Sequence, residues 1–199
     1  MAFRKFTYLE STCIPLPVEN VDTDQIIPAR FLNATTREGF GEKLFYDWRF
    51  LKNGTPNPDF ILNNKAFSGS VLVVGTNFGC GSSREHAVWA LTDYGFRVVI
   101  SSFFADIFKN NALNNGLLPI VVSDDRLKVL LKGIMDNPRV YVKIDLEKQL
   151  LQVPSLEILE TFEISPWKKE CLLKGLDDVD YLLRLKDKIV QFEKQRAWL

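Results

Sequence analysis

The 199-residue chain reads as an α/β protein whose sheet has a parallel and an antiparallel part, followed by a helical tail. Three observations predict this. Uninterrupted apolar runs at Val71–Val74, Val98–Ile100 and Leu117–Val122 are separated by stretches of helical length, the grammar of βαβ crossovers around strands covered on both faces. From residue 139 to 154 the pattern changes to alternation, with Val140, Val142, Ile144 and Leu146 set against polar neighbours, as in an antiparallel hairpin with one wet face. Beyond Pro166 the apolar spacing becomes helical. No repeat or low-complexity segment intervenes, so one domain is expected over 1–199, with an irregular loop near 33–50 and a helical extension near 166–199.

Taken in order, Phe6 to Pro15 forms a strand closed by Pro15 and Pro17, and NVDTDQIIP at 20–28 is a polar turn feeding a short apolar piece that Pro28 stops. Residues 33–65 interleave turn-formers with Phe40, Phe45, Tyr46, Trp48 and Phe50. So much apolar area suits a packed functional loop better than a linker. After the strand at 71–74, a helix is expected from about Ser83 to Tyr94, ended by Gly95 at C′. A second helix covers about 103–113, and the third strand, carrying Pro119, follows Asn115-Gly116. Asp124 or Asp125 is expected to cap a helix reaching Met135. The tail divides into helices at Pro166–Lys174, stopped by Gly175, and at Asp178–Gln195, with Val179, Leu182, Leu183, Ile189 and Phe192 on one face.

The bulk composition excludes more than it assigns. Twenty-five basic residues balance twenty-five acidic ones, so there is no net field to hold a polyanion or an anionic membrane. Cys13, Cys80 and Cys171 are far apart and form no CxxC pair, which argues against a disulfide framework or a self-contained zinc or iron–sulfur site. Free thiols, an N-terminus without an apolar h-region and the lack of an 18-residue apolar run point to the cytosol.

The densest chemistry lies in GTNFGCGSSREHA, residues 75–87, directly behind a buried-type strand and containing the only histidine. Neither a GxGxxG nor a Walker pattern fits, because Arg84 stands where the third glycine belongs and no GK[ST] follows. Ser82 with Glu85 has capping-box spacing, with Ser82 as N-cap and Glu85 reaching back. That leaves Ser83 unexplained, and Arg84 would sit in a first turn where the helix dipole disfavours a cation. A helix N-terminus with free N–H groups, two hydroxyls and an arginine makes a carboxylate site. The same donors lower the cost of ionising a serine hydroxyl, which otherwise titrates far too high to act as a base. The segment supplies no electrophile.

This segment resembles the signature of the swivelling C-terminal domain of the aconitase superfamily. NVDTDQIIPARFL at 20–32 and SSFFADIFKNNALNNGLLP at 101–119 resemble two further hallmarks of that domain. TREGFGEKLFYDWRF at 36–50 and CLLKGLDDVDYLL at 171–183 narrow the likeness to the bacterial small subunits of 3-isopropylmalate dehydratase, across nearly the whole chain. The resemblance implies the swivelling β/β/α fold and a hydro-lyase of leucine biosynthesis, which interconverts 2- and 3-isopropylmalate through isopropylmaleate. It also implies a [4Fe–4S] cluster on a separate large subunit, not ligated by this chain, with activity only in the heteromer.

Carried over by position, Ser82 matches the proton-removing serine, Arg84 the arginine that binds a substrate carboxylate, and Ser83 a neighbouring donor. Arg30 either reaches a second carboxylate or lies on the surface. Asp22, Thr23 and Asp24 either brace the active-site turn or serve Asx-turn chemistry. His86 either makes a structural hydrogen bond or moves a proton, with the structural role favoured. Cys80 is a small packing residue, Trp89 and the phenylalanines of 103–108 are core, and the 33–50 loop senses the isopropyl group or simply packs. Rival readings are a related hydro-lyase subunit acting on citramalate or homocitrate, and a stand-alone dicarboxylate-binding module.

Overall fold

The structure, a computed structural model, describes residues 3–32 and 38–196. Its centre is a seven-stranded sheet of β1 (Tyr8–Leu16), β2 (Val71–Val74), β3 (Val98–Ser101), β4 (Leu118–Val121), β5 (Tyr141–Asp145), β6 (Leu150–Val153) and β7 (Ile158–Thr161), in the order β4-β3-β2-β1-β5-β6-β7. β4, β3, β2 and β1 are mutually parallel, with Cys13 opposite Val71 and Val71 opposite Val98. β1 then pairs antiparallel with β5, and β5–β6–β7 continues as a meander. β1 is therefore the seam between the two halves of the sheet.

The continuous apolar runs have the expected cause. Along β2, Val71 and Val73 face one core and Leu72 and Val74 the other, and all four are fully buried. The first core is covered by α5 (Asp124–Asp136) through Leu127, Leu130 and Ile134. The second is covered by α3 (Glu85–Tyr94) and α4 (Asp106–Asn114) through Val88, Leu91, Phe108 and Ala112. Two single-turn helices, α1 (Thr23–Ile26) and α2 (Tyr46–Arg49), flank that second core, where Phe40, Leu44 and Phe45 are buried. The tail consists of α6 (Pro166–Lys174), α7 (Asp178–Arg184) and α8 (Lys186–Gln195).

Several expectations need correction. α5 is capped by Ser123, whose hydroxyl accepts from the Arg126 N–H, rather than by Asp124 or Asp125. β7 adds a strand after the hairpin, reached through a turn with Glu157 at φ +53°. It was illegible because its four residues show too short an alternation to read, and Leu159 faces solvent. The expected helix at 178–195 breaks at Leu185, with φ −90° and ψ 0°, although no glycine or proline marks the place. Phe103 is 53% exposed, whereas Phe104 and Phe108 are core as expected. Residues 33–37 of the aromatic loop lie outside the described residues.

A candidate anion-binding site at the ends of β1 and β2

Parallel pairing sends the carboxyl ends of β1 and β2 to the same edge, so their two following loops leave the sheet side by side. This is where open α/β sheets place ligands. A ladder of bonds fastens the loops together. The Asn20 N–H donates to the Thr76 carbonyl at 2.9 Å, Gly79 N–H to Val21 at 2.8 Å, and Thr23 N–H to Cys80 at 2.9 Å. The buried Thr23 hydroxyl donates to the Ser82 carbonyl at 2.8 Å. At the end of the ladder the Arg84 Nη1 meets Asp24 Oδ1 at 2.5 Å.

Each of the three expected bracing residues has a distinct task. Asp22 caps α1 in a capping box with Gln25, accepting from the Asp24 and Gln25 N–H groups, so its chemistry is local. Thr23 stitches α1 to the glycine–serine loop. Asp24 accepts from the Ala29 N–H at 2.8 Å and from Arg84. The Ala29 N–H first, and the Arg84 guanidinium second, hold the Asp24 carboxyl below its usual range.

The loop itself is built to expose donors. Gly79 and Gly81 take φ +76° and +86°, left-handed conformations that L side chains resist, and a Cβ at Gly79 would lie 2.2 Å from the Phe108 ring. Ser82 and Ser83 are exposed, and neither hydroxyl has a hydrogen-bond partner among the described residues. The amides of Gly81, Ser82, Ser83 and Arg84 likewise find no acceptor among them. The Arg84 side chain is 18% exposed, tethered at one nitrogen and free to use the rest of its fork. Amides, hydroxyls and a guanidinium converging on one hollow are a set of donors whose geometry suits an anion such as a carboxylate.

The capping box expected at Ser82 is absent. α3 begins at Glu85, its N-cap is Arg84 with no side-chain cap, and Glu85 reaches Asn115 Nδ2 at 2.8 Å. Asn115, buried, also accepts from Trp89 Nε1 at 3.0 Å, so the start of α3 is tied to the end of α4. Because α3 starts only at Glu85, Ser82 lies two residues before the N-cap and its hydroxyl is not used as a cap.

The hollow measures about 250 Å³. Thr23, Gly81, Ser82, Ser83 and Arg84 form one wall, and Ala105, Asp106, Ile107 and Phe108 at the start of α4, with Asn111 further along the helix, form the other. Sequence reasoning missed this second wall. Its signal was the apolar–polar alternation at the start of the 101–119 motif, which reads as an ordinary amphipathic helix. Larger hollows of about 460 and 560 Å³ lie elsewhere and lack this convergence of hydroxyls and amides.

Two expected residues stand apart from the hollow. Arg30 is engaged by both oxygens of Asp47 and lies against the Phe31 and Tyr46 rings. His86 is half-buried, with its ring 4.5 Å from Trp89 and 5.4 Å from Phe40. No residue of 38–50 lines the hollow. Among the described residues no group of three or more His, Cys, Asp or Glu could hold a metal ion. Cys13 and Cys171 are buried, and burial pushes the Cys13 thiol up to about 12.

A mixed sheet with a donor-rich glycine–serine loop at the carboxyl ends of β1 and β2 defines the class. Residues 3–125 match the model of the aconitase C-terminal domain. The chain is 55% identical to the 3-isopropylmalate dehydratase small subunit of Cytophaga hutchinsonii, over 98% of this chain and 97% of that protein. It is 48% identical to the small subunit of Agrobacterium fabrum over 97% and 96%. The crystal structure of 3-isopropylmalate dehydratase from Methanocaldococcus jannaschii superposes with a TM-score of 0.66 at 31% identity, covering 94% of this chain and 99% of that one. The chain belongs to the family of 3-isopropylmalate dehydratase small subunits.

Proposed function

We propose that this chain builds the carboxylate-binding and proton-transferring half of an isopropylmalate isomerase site, completed by a large subunit in a cytoplasmic heteromer of leucine biosynthesis. The observation that carries the reading is the open cradle of Ser82, Ser83 and Arg84, held in place by Asp24. Arg84 and the Ser83 hydroxyl take a substrate carboxylate. Ser82 Oγ accepts the proton from carbon, the C–H electron pair becomes the new C=C bond, and hydroxide leaves the neighbouring carbon. The unsaturated acid is then rehydrated in the opposite sense, returning the proton and placing the hydroxyl on the other carbon. Surrounding N–H groups and the guanidinium stabilise the Ser82 oxyanion while it lacks its proton.

The iron–sulfur cluster that the aconitase superfamily implies does not fit this chain, whose three cysteines are separated and mostly buried. We assign it to the large subunit, and no step above runs through it. The wall of Ala105, Ile107 and Phe108 offers apolar surface to a branched alkyl group, and Asp106 in the same wall opposes the additional carboxylate of homocitrate. Arg30 takes no substrate contact in this reading, because Asp47 already neutralises it. His86 packs between rings. Co-expression with the cluster-bearing large subunit tests the proposal: conversion of 2-isopropylmalate is expected, and a preference for citramalate refutes the assignment.

A further inference from the structure

One buried amide beside the hollow is bonded toward both of its walls. Asn115, at the end of α4, is 7% exposed. Its Nδ2 donates to Glu85 Oε1 at 2.8 Å and to the Asn111 carbonyl at 2.8 Å, while its Oδ1 accepts from Trp89 Nε1 at 3.0 Å. Chemistry fixes this orientation, because an indole N–H only donates and a backbone carbonyl only accepts. Both amide hydrogens are therefore committed, one to each side.

The two acceptors adjoin the residues that line the hollow. Glu85 directly follows Arg84, the N-cap of α3, and Arg84 belongs with Ser82 and Ser83 to the loop wall. Asn111 lines the opposite wall, and Asn115 stands about 6 Å further along α4. At the other end of α4 the walls are joined by the Ala105 N–H, which donates to the Phe78 carbonyl at 3.2 Å. The bonds of Thr23 to Ser82 and of Asp24 to Arg84 hold the loop from the β1 side and leave α4 untouched. Of the two ties to α4, the one at Asn115 is made by a side chain, so substitution can remove it.

Such a tie governs fit. The loop offers donors to a carboxylate, and the α4 wall offers Ile107 and Phe108 to an alkyl group. A ligand carrying both groups is held well only when the walls stand at the matching separation. A buried amide with its donors paired resists a change in that separation, because an unpaired buried donor or acceptor costs free energy.

We infer that Asn115 is a positioning residue whose amide sets the separation of the two walls, and with it the fit of a branched dicarboxylic acid. The identity of that acid rests on the isomerase reading. The test replaces Asn115 by aspartate, which keeps an oxygen for Trp89 and turns the shared donor into a carboxylate facing Glu85. In the reconstituted heteromer, KM for 2-isopropylmalate should rise about tenfold with kcat within roughly threefold of wild type, since Ser82 and Arg84 keep their ties to Thr23 and Asp24. The double variant Asn115→Asp/Glu85→Gln sets a donor opposite the new acceptor and should bring KM back to about the wild-type value. An unchanged KM in Asn115→Asp overturns the inference even if kcat falls, as it does when part of the protein is unfolded. So does a raised KM that the double variant keeps. If Asn115→Asp does not fold, Glu85→Leu at an exposed position removes the acceptor, and a wild-type KM there has the same force. Hydrogen exchange on the isolated chain reads the tie without a partner. The Ala87 N–H, bonded to the Arg84 carbonyl at 3.2 Å, should exchange at least about fivefold faster in Asn115→Asp and regain protection in the double variant. Unchanged exchange also overturns the inference. Failure of the isomerase reading shows separately, as a wild-type heteromer that leaves 2-isopropylmalate unconverted.

Discussion

Replacing Asp24 by asparagine tests whether the site depends on a positioned arginine. The amide side chain keeps an oxygen for the Ala29 N–H and loses the charge that holds Arg84. The Asp24 side chain is 57% exposed, so the pair resembles surface ion pairs worth about 0–1 kcal/mol. For a chain of this length that corresponds to a Tm shift of no more than about 4 °C. Function should suffer far more. A charge-assisted hydrogen bond between a fixed guanidinium and a substrate carboxylate contributes about 1.5–3 kcal/mol, and kcat/KM changes tenfold per 1.4 kcal/mol or so. Losing the orientation of Arg84 should therefore lower kcat/KM by roughly 10- to 100-fold. The assay is a steady-state measurement on the reconstituted heteromer, with calorimetric melting of the isolated chain beside it. An unchanged or lower KM at wild-type kcat would falsify the argument, since Asp24 would then compete with substrate for Arg84 instead of aiming it.

The other expectations are quickly stated. Ser82→Ala should leave melting and association unchanged, because its hydroxyl has no partner among the described residues, while kcat falls at least about 100-fold; near-wild-type turnover removes the base assignment. Gly79→Ala forces a left-handed alanine and drives its Cβ into Phe108, so urea titration should show a loss of about 2–4 kcal/mol. Folded Asp24 has a depressed pKa, so its pairing contributes above its unfolded value and is lost as acid protonates it. Wild type and Asp24→Asn should accordingly differ in urea midpoint at neutral pH, begin to approach each other only as pH falls below about 4, and merge once it has passed the lowered folded value. Iodoacetamide at mildly alkaline pH should alkylate Cys80 well before Cys13, whose thiol is pushed up to about 12; peptide mass mapping reads the order.

Much of this was legible in the residues because the physics was local. Four consecutive apolar residues such as Val71–Val74 satisfy two cores at once, and that requirement leaves its mark in sequence. The cradle was legible too, since Ser82, Ser83 and Arg84 are contiguous. What stayed hidden depends on distant partners. Glu85 looked like a capping-box member and was claimed instead by Asn115, thirty residues away. Arg84 looked misplaced in a first turn, and its reason is Asp24, sixty residues upstream. Ile107 and Phe108 became a wall only because α4 packs across from the loop. The break at Leu185 has no chemical marker at all.

The rungs joining 20–24 to 76–84 also say how these two stretches can change over generations. Every rung pairs a fixed offset on one stretch with a fixed offset on the other. Adding or deleting a residue within either one would shift each downstream rung by a position and strand Arg84 from its anchor. The turn around Gly54, where an added side chain meets nothing, has no such bookkeeping and can lengthen freely. Length variation in descendants of this chain should therefore gather there, while the two motifs keep their residue counts even as their side chains drift.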